Sequence, residues 1–200
     1  MKKTVLLLSI LAGMFISAQA RAQGAYAGIG VMSVSTDNAT DFAAVFNGPT
    51  GSGDGSANGL KIYGGYVWPS GFGIEGSYYD LGSYEVHAAS TKTDEFKVSA
   101  FAVSGTHTMP MGTSFDLNLK LGLAFTSADY TCVALCGGIF VNTGKSGVAP
   151  LFGAGVGWRV APNFTLGADL EIFAGVPHSA AGQEVEYDYT AFSLSAQFKF

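Results

Sequence analysis

The sequence predicts an all-β protein, an eight-stranded antiparallel transmembrane β-barrel with short periplasmic turns and long extracellular loops. Three observations point there. Apolar residues recur at every second position over segments of roughly ten residues, the length a tilted strand needs to cross a bilayer. No apolar run of about 18 residues follows the first 22 positions, so a helical span is excluded. Short turns alternate along the chain with long polar connections, the asymmetry of bacterial outer-membrane barrels. Composition agrees. Hydrophobic residues are 48% of the 200 and charged residues only 12%, about half the usual share, while glycine reaches 28. That hydrophobicity excludes disorder as the main state, and a net charge of -5 excludes a basic nucleic-acid binder.

Residues 1–22 form an export signal. Lys2 and Lys3 precede an apolar core from Val5 to Ile16, and Ala18-Gln19-Ala20 and Ala20-Arg21-Ala22 offer small-x-small cleavage sites. The core is too short for a spanning helix, which needs roughly 20 residues. Cleavage after Ala22 leaves the barrel domain at 23–200, with seven bases against 15 acids. Export into an oxidising compartment favours a disulfide between Cys132 and Cys136, the only two cysteines. So small a ring can only staple a loop. Two thiols with no histidine nearby fall short of a metal site, and no cofactor is implied.

The strands follow in order. Residues 25–34 set Ala27, Ile29 and Val31 against Tyr26, Gly28 and Gly30. Residues 59–68 set Leu60, Ile62, Tyr66 and Trp68 against Lys61, Tyr63 and Gly65, and residues 72–81 set Phe72, Ile74 and Tyr78 against Gly73, Glu75 and Ser77. Residues 95–107 mix two phases: Phe96 and Val98 begin one, Phe101 and Val103 fall on the other, so this strand is bulged or apolar on both faces. The clearest alternation is Phe115, Leu117, Leu119, Leu121, Leu123 and Phe125 against Asp116, Asn118, Lys120, Gly122, Ala124 and Thr126. Residues 148–159 set Val148, Phe152, Val156 and Trp158 against Gly153, Gly155, Gly157 and Arg159. Phe164, Leu166, Ala168, Leu170 and Ile172 then alternate with Thr165, Gly167, Asp169 and Glu171. Phe192, Leu194, Ala196, Phe198 and Phe200 close the chain.

Pro69-Ser70-Gly71, Pro110 to Thr113 and Ala161-Pro162-Asn163 are the short turns. The long connections fall at about 35–57, 82–94, 127–146 and 174–187. A soluble barrel would bury the apolar faces around a ligand and charge its outer faces. Here the polar faces are mostly Gly, Ala, Ser and Thr, too bland for a wet surface, and the apolar faces end in aromatics, as membrane girdles do.

Several motifs carry a family resemblance. They are Ala25-Tyr26-Ala27-Gly28-Ile29-Gly30, Gly64-Gly65-Tyr66, the run Phe72 to Gly82, Phe152 to Trp158, and the terminal Gln197-Phe198-Lys199-Phe200. Together the mature chain resembles the OmpA-like transmembrane barrel superfamily, which includes the opacity-type surface proteins. The resemblance implies a fold and an outer-membrane location, not an activity. It implies that Phe200 is the C-terminal aromatic read by the barrel-assembly machinery. It also implies that Glu75 resembles the family's interior glutamate on the third strand, a member of an ion-pair network.

If the apolar faces meet lipid, the alternate positions line the lumen. These are Lys61, Lys97, Lys120, Arg159 and Lys199 with Glu75, Glu95, Asp116, Asp169 and Glu171, five bases and five acids. Isolated charges in a narrow lumen are strongly disfavoured, so these should pair and plug an eight-stranded barrel. Lys120 and Asp169, near the middle of their strands, are the first expected partners. Glycines at 28, 30, 65, 153, 155 and 157 leave the alternative of a narrow, hydrated conduit for small solutes. The loops carry ten acids (Asp37, Asp41, Asp54, Asp80, Glu85, Asp94, Asp129, Glu184, Glu186, Asp188) against Lys92 and Lys145, an outer rim acidic by about eight charges.

The functional expectation is a non-catalytic integral outer-membrane protein, monomeric, with a membrane-structural or surface-interaction role. Its partners would be outer-membrane lipid and lipopolysaccharide and host or cell-surface ligands of the loops. The alternatives are the narrow channel, an adhesin or serum-resistance protein, and a lipid A-modifying enzyme. The last is disfavoured by the histidines: His107 lies at the turn end, His87 and His178 lie in loops, and no His-x-Ser stands on a strand.

Overall fold

The computed structural model describes residues 24–36, 51–53, 55–88, 91–132, 144–180 and 183–200. Every regular element among them is a strand: β1 (Gly24–Thr36), β2 (Gly51–Gly53), β3 (Ser56–Val67), β4 (Phe72–Ala88), β5 (Thr91–Met111), β6 (Phe115–Cys132), β7 (Gly144–Ala161), β8 (Phe164–Ala180) and β9 (Gln183–Lys199). Eight of them close a barrel. Each pairs antiparallel with the next, and β9 returns to β1, with Tyr26 opposite Lys199. The three-residue β2 continues the line of β3 along β4, Gly53 facing Val86. Both ends of the barrel sequence, Gly24 and Phe200, lie at the end formed by the short turns, where the Phe200 amide donates to the Ala25 carbonyl at 2.9 Å. The export signal expected at residues 1–22 and the rest of the connection expected at 35–57 lie outside the described residues, as do Cys136 and the side chain of Cys132, the last residue of β6.

Within the apolar belt the alternation orients the strands as expected. Leu121, Leu170 and Leu194 stand outside, while Lys61, Glu75 and Glu171 point in and are buried. Outward aromatics ring both edges of the apolar belt. Tyr78, Phe101 and Phe125 are cross-strand neighbours at one edge. Phe115 and Trp158 are paired at the other, with Trp68 close to the same turn end. From Phe115 to Phe125 the belt covers about 34 Å of strand, or about 26 Å of height at a usual barrel tilt, enough for a hydrocarbon core.

Beyond the belt the strands continue, and the sidedness inverts. The connections expected at 82–94 and 174–187 are largely strand, with β4 running to Ala88, β5 starting at Thr91, and β8 and β9 extending to Ala180 and from Gln183. In this outer half, starting inside the belt where Leu151 stands between Gly122 and Phe173, the lumen is apolar. Val34, Leu81, Tyr84, Val98, Leu151, Phe173, Val176 and Tyr189 pack there as one buried cluster. Phe173 meets the Tyr79 ring edge-on at 5.0 Å, and Tyr84 meets Tyr189 at 5.8 Å. The Tyr84 hydroxyl donates to the Leu81 carbonyl at 3.2 Å, and burial pushes this phenol above its ordinary pKa.

That inversion explains the mixed phases of residues 95–107. β5 is apolar on both faces: Val98, Ala100 and Ala102 face in, Phe101 and Val103 face out. The irregularity is in its partner, where β4 carries an extra residue between Asp80 and Gly82, and Gly82 adopts a positive φ of 91°.

The charged cluster in the lumen

Four strands each place one ionised side chain at the same level of the lumen. Lys61 comes from β3, Glu75 from β4, Lys120 from β6 and Glu171 from β8, all at inward positions of the period-two pattern. The Lys61 ammonium donates to Glu171 Oε1 at 2.9 Å. Lys120 bridges the two acids, at 2.5 Å to Glu75 Oε1 and 2.7 Å to Glu171 Oε1. Hydroxyls add to the carboxylates: Tyr79 donates to Glu171 Oε1 at 2.8 Å, Tyr26 to Glu75 Oε2 at 2.9 Å, and Ser77 to Glu75 Oε1 at 2.8 Å. The Tyr63 ring lies under Lys61, 4.7 Å from the ammonium. Two positive and two negative groups are thus desolvated together, with charge-assisted bonds replacing water.

Inward glycines make room for these rings rather than for a conduit. A Cβ on Gly28 would stand 2.3 Å from the Tyr63 ring, and one on Gly65 would stand 2.6 Å from the Tyr26 hydroxyl. Below the cluster, toward the short turns, a cavity of about 100 Å³ is lined by Asn118, Asp169, Gln197 and Lys199 among others. At its mouth Arg159 Nε pairs with Asp116 Oδ2 at 3.3 Å.

The structure brings together Lys61, Glu75, Lys120 and Glu171, and separately Asp116 with Arg159. It does not pair Lys120 with Asp169, which instead accepts a hydrogen bond from Ser195 at 3.4 Å. Lys97 is not in the lumen. It lies outside, its side chain 55% exposed, 3.2 Å from Asp80. A luminal Lys97 requires Phe96 and Val98 to face lipid, but in the outer half apolar side chains face inward and Val98 is fully buried. The backbone of Glu95 belongs to β5, but its side chain lies outside those described, as do those of His87 and His178. Sequence reasoning missed the tyrosines that finish the network. Their signal was parity: Tyr63 is two residues from Lys61, and Tyr79 is four from Glu75. His107 lies at the short-turn end, its ring 4.3 Å from that of Phe72. Phe200 stands exposed beside Phe198 at the same end.

Residues 20–200 match the model of the OmpA-like transmembrane domain. No curated protein matches the chain by sequence. Among solved structures, the chain is similar to OprG of Pseudomonas aeruginosa, with a TM-score of 0.65 at 12% identity, covering 92% of this chain and 99% of that one. Neisserial surface protein A gives a TM-score of 0.61 at 16% identity, covering 88% and 97%. Ail, the attachment invasion locus protein of Yersinia pestis, gives 0.55 at 15%, covering 89% and 99%. At these identities the likeness is one of fold, and the fold in each case is a small outer-membrane barrel. The chain belongs to the OmpA-like transmembrane domain family and is a β-barrel of the bacterial outer membrane.

Proposed function

We propose that this barrel is closed and non-catalytic, and that its role is membrane-structural and surface-presenting rather than conductive. One observation carries the reading: the lumen is blocked twice. The ion-paired cluster spans it at one level, and the packed side chains around Phe173, Tyr84 and Tyr189 fill it above. Interconverting the ion pairs alone leaves the apolar level in place. The purified protein in planar bilayers should therefore give no steady single-channel steps. Steady steps that change with Lys120→Ala would overturn this.

The surface role is supported by strands that run past the belt and hold paired hairpins above the outer leaflet. One solved complex of Ail holds the heparin analogue sucrose octasulfate. A polyanion of that kind suits this chain poorly, because its outer half presents Asp129, Glu186 and Asp188 to solvent. Basic surfaces on host or neighbouring cells are the better match. Deleting residues 82–94 and 36–57 in turn, then measuring adhesion to cells and matrix, tests this; adhesion unchanged by both deletions rejects it. The barrel is read as a monomer embedded among lipid and lipopolysaccharide, with Phe200 as its assembly signal. Lipid A incubated with the folded protein should keep its mass, and any loss of acyl chains would reject the non-catalytic reading.

A further inference from the structure

A groove of about 540 Å³ crosses the outside of the barrel over β5, β6 and β7, at the outer edge of the apolar belt. Strand register sorts its walls into rows. Phe101, Phe125 and Val148 are paired in line on the membrane side, and Ser99, Ser127 and Ser146 are paired in line on the water side. Between the rows, Ala100 and Thr126 turn inward and are buried, so backbone forms the floor. Among the described residues, no hydrogen bond within the protein engages the three serine hydroxyls.

Two residues further out on the same faces the charges begin. Lys97 follows Ser99 on β5 and Asp129 follows Ser127 on β6, both exposed and directly opposite one another. Such neighbours stand about 5 Å apart at Cβ. Asp80, across from Ser99 on β4, lies 3.2 Å from the Lys97 ammonium and also accepts from the Gly82 amide. Asp129 is the acid left facing water beside the base. From the belt outward the wall therefore offers apolar side chains, then hydroxyls, then a base next to an acid. A phospholipid presents its parts in the same order: acyl chains, ester carbonyls, headgroup. The headgroup that complements an adjacent base and acid is a zwitterion. A purely anionic one would meet two acids for a single lysine, and like charges would oppose it.

We propose that this groove seats one molecule of phosphatidylethanolamine. Its acyl chain lies on Phe101, Phe125 and Val148, and the serine hydroxyls donate to its ester carbonyls. Its phosphate accepts from Lys97, and its ammonium donates to the Asp129 carboxylate, both as charge-assisted bonds. The belt faces lipid all the way round, so the site is one selective position within that interface. The inference rests on membrane placement alone and stands apart from whether the lumen conducts or the loops adhere.

The test uses the full mature chain folded in detergent, with phosphatidylethanolamine, phosphatidylglycerol or lipid A added at equal mole fraction. Native mass spectrometry reads the fraction of protein that keeps one lipid. Phosphatidylethanolamine should be kept about threefold to tenfold more than phosphatidylglycerol, the scale of two partly exposed ion pairs. Lys97→Glu should remove that advantage, and Asp129→Lys should reverse it in favour of phosphatidylglycerol. Changing Ser99, Ser127 and Ser146 together to alanine should lower retention of both phospholipids alike, since both carry the ester carbonyls. Glu186→Lys makes the same charge change at an exposed acid of β9 and should leave the preference intact. Equal retention of the two phospholipids by the wild type, or stronger retention of lipid A, would overturn the proposal. So would a preference that survives Asp129→Lys, one that Glu186→Lys also reverses, or retention that the serine changes leave untouched.

Discussion

At the scale of single residues, Glu171 is the position on which the network turns. It answers both lysines and Tyr79 through one oxygen, and its side chain is 1% exposed. Replacing it by alanine leaves Lys61 without its acid in a dry lumen. Loss of one member of a buried ion pair costs about 3–5 kcal/mol, so Glu171→Ala should lower the urea-unfolding free energy of the detergent-folded protein by that order. Removing a charge of each sign is different. Lys61→Met combined with Glu171→Leu leaves the Lys120–Glu75 pair intact and neutral, and should recover most of the loss. Gly28→Ala tests the ring's place independently. Its new methyl group has to displace the Tyr63 ring, an overpacking that costs about 1–3 kcal/mol.

At the scale of elements, the wall is not uniformly zipped. Among the described residues, β7 and β8 pair from Ala161–Phe164 up to Leu151–Phe173 and no further, although both strands continue. A bulge at 174–175, with Gly175 at φ 65°, diverts β8, and the Gly175 amide is taken by Asp188 at 2.7 Å. Pro177 has no amide to offer and rests its ring against Gly147. Amide hydrogen exchange should therefore be faster across 144–149 than across 117–125, where β6 is paired on both sides. Equal protection of the two segments would contradict this. The β4 bulge gives a second test. Gly82→Ala forces a left-handed conformation on a side chain and sets its Cβ 2.7 Å from Ala57, a loss of about 1–3 kcal/mol in the same unfolding assay. These irregularities were invisible beforehand because a bulge leaves no mark on hydropathy. Only the change of parity from Tyr79 to Tyr84 hints at the one in β4.

At the scale of the whole molecule, the barrel is two storeys with opposite sidedness. In the membrane storey grease faces out and charge faces in. In the outer storey the apolar cluster around Phe173 faces in and Asp129, Glu186 and Asp188 face water. A barrel cross-linked in both storeys should resist detergent unfolding without heat. Unboiled samples should migrate differently from boiled ones on electrophoresis, and identical mobility would argue against a stable barrel in detergent.

The sequence by itself determined the strand count, the turn end and the lipid-facing side wherever the strand lies in the belt. There lipid outside and a narrow lumen inside impose opposite demands on alternate residues, and hydropathy records them. Its ten luminal candidates include the four charges of the central network, since each falls on the inward parity of a well-phased strand. Tertiary structure alone decided which charges meet. Partners come from strands far apart in sequence, and Lys120 reaches Glu75 and Glu171 across the lumen rather than Asp169. It alone placed Lys97 outside, because above the belt water replaces lipid and the same alternation reads in reverse.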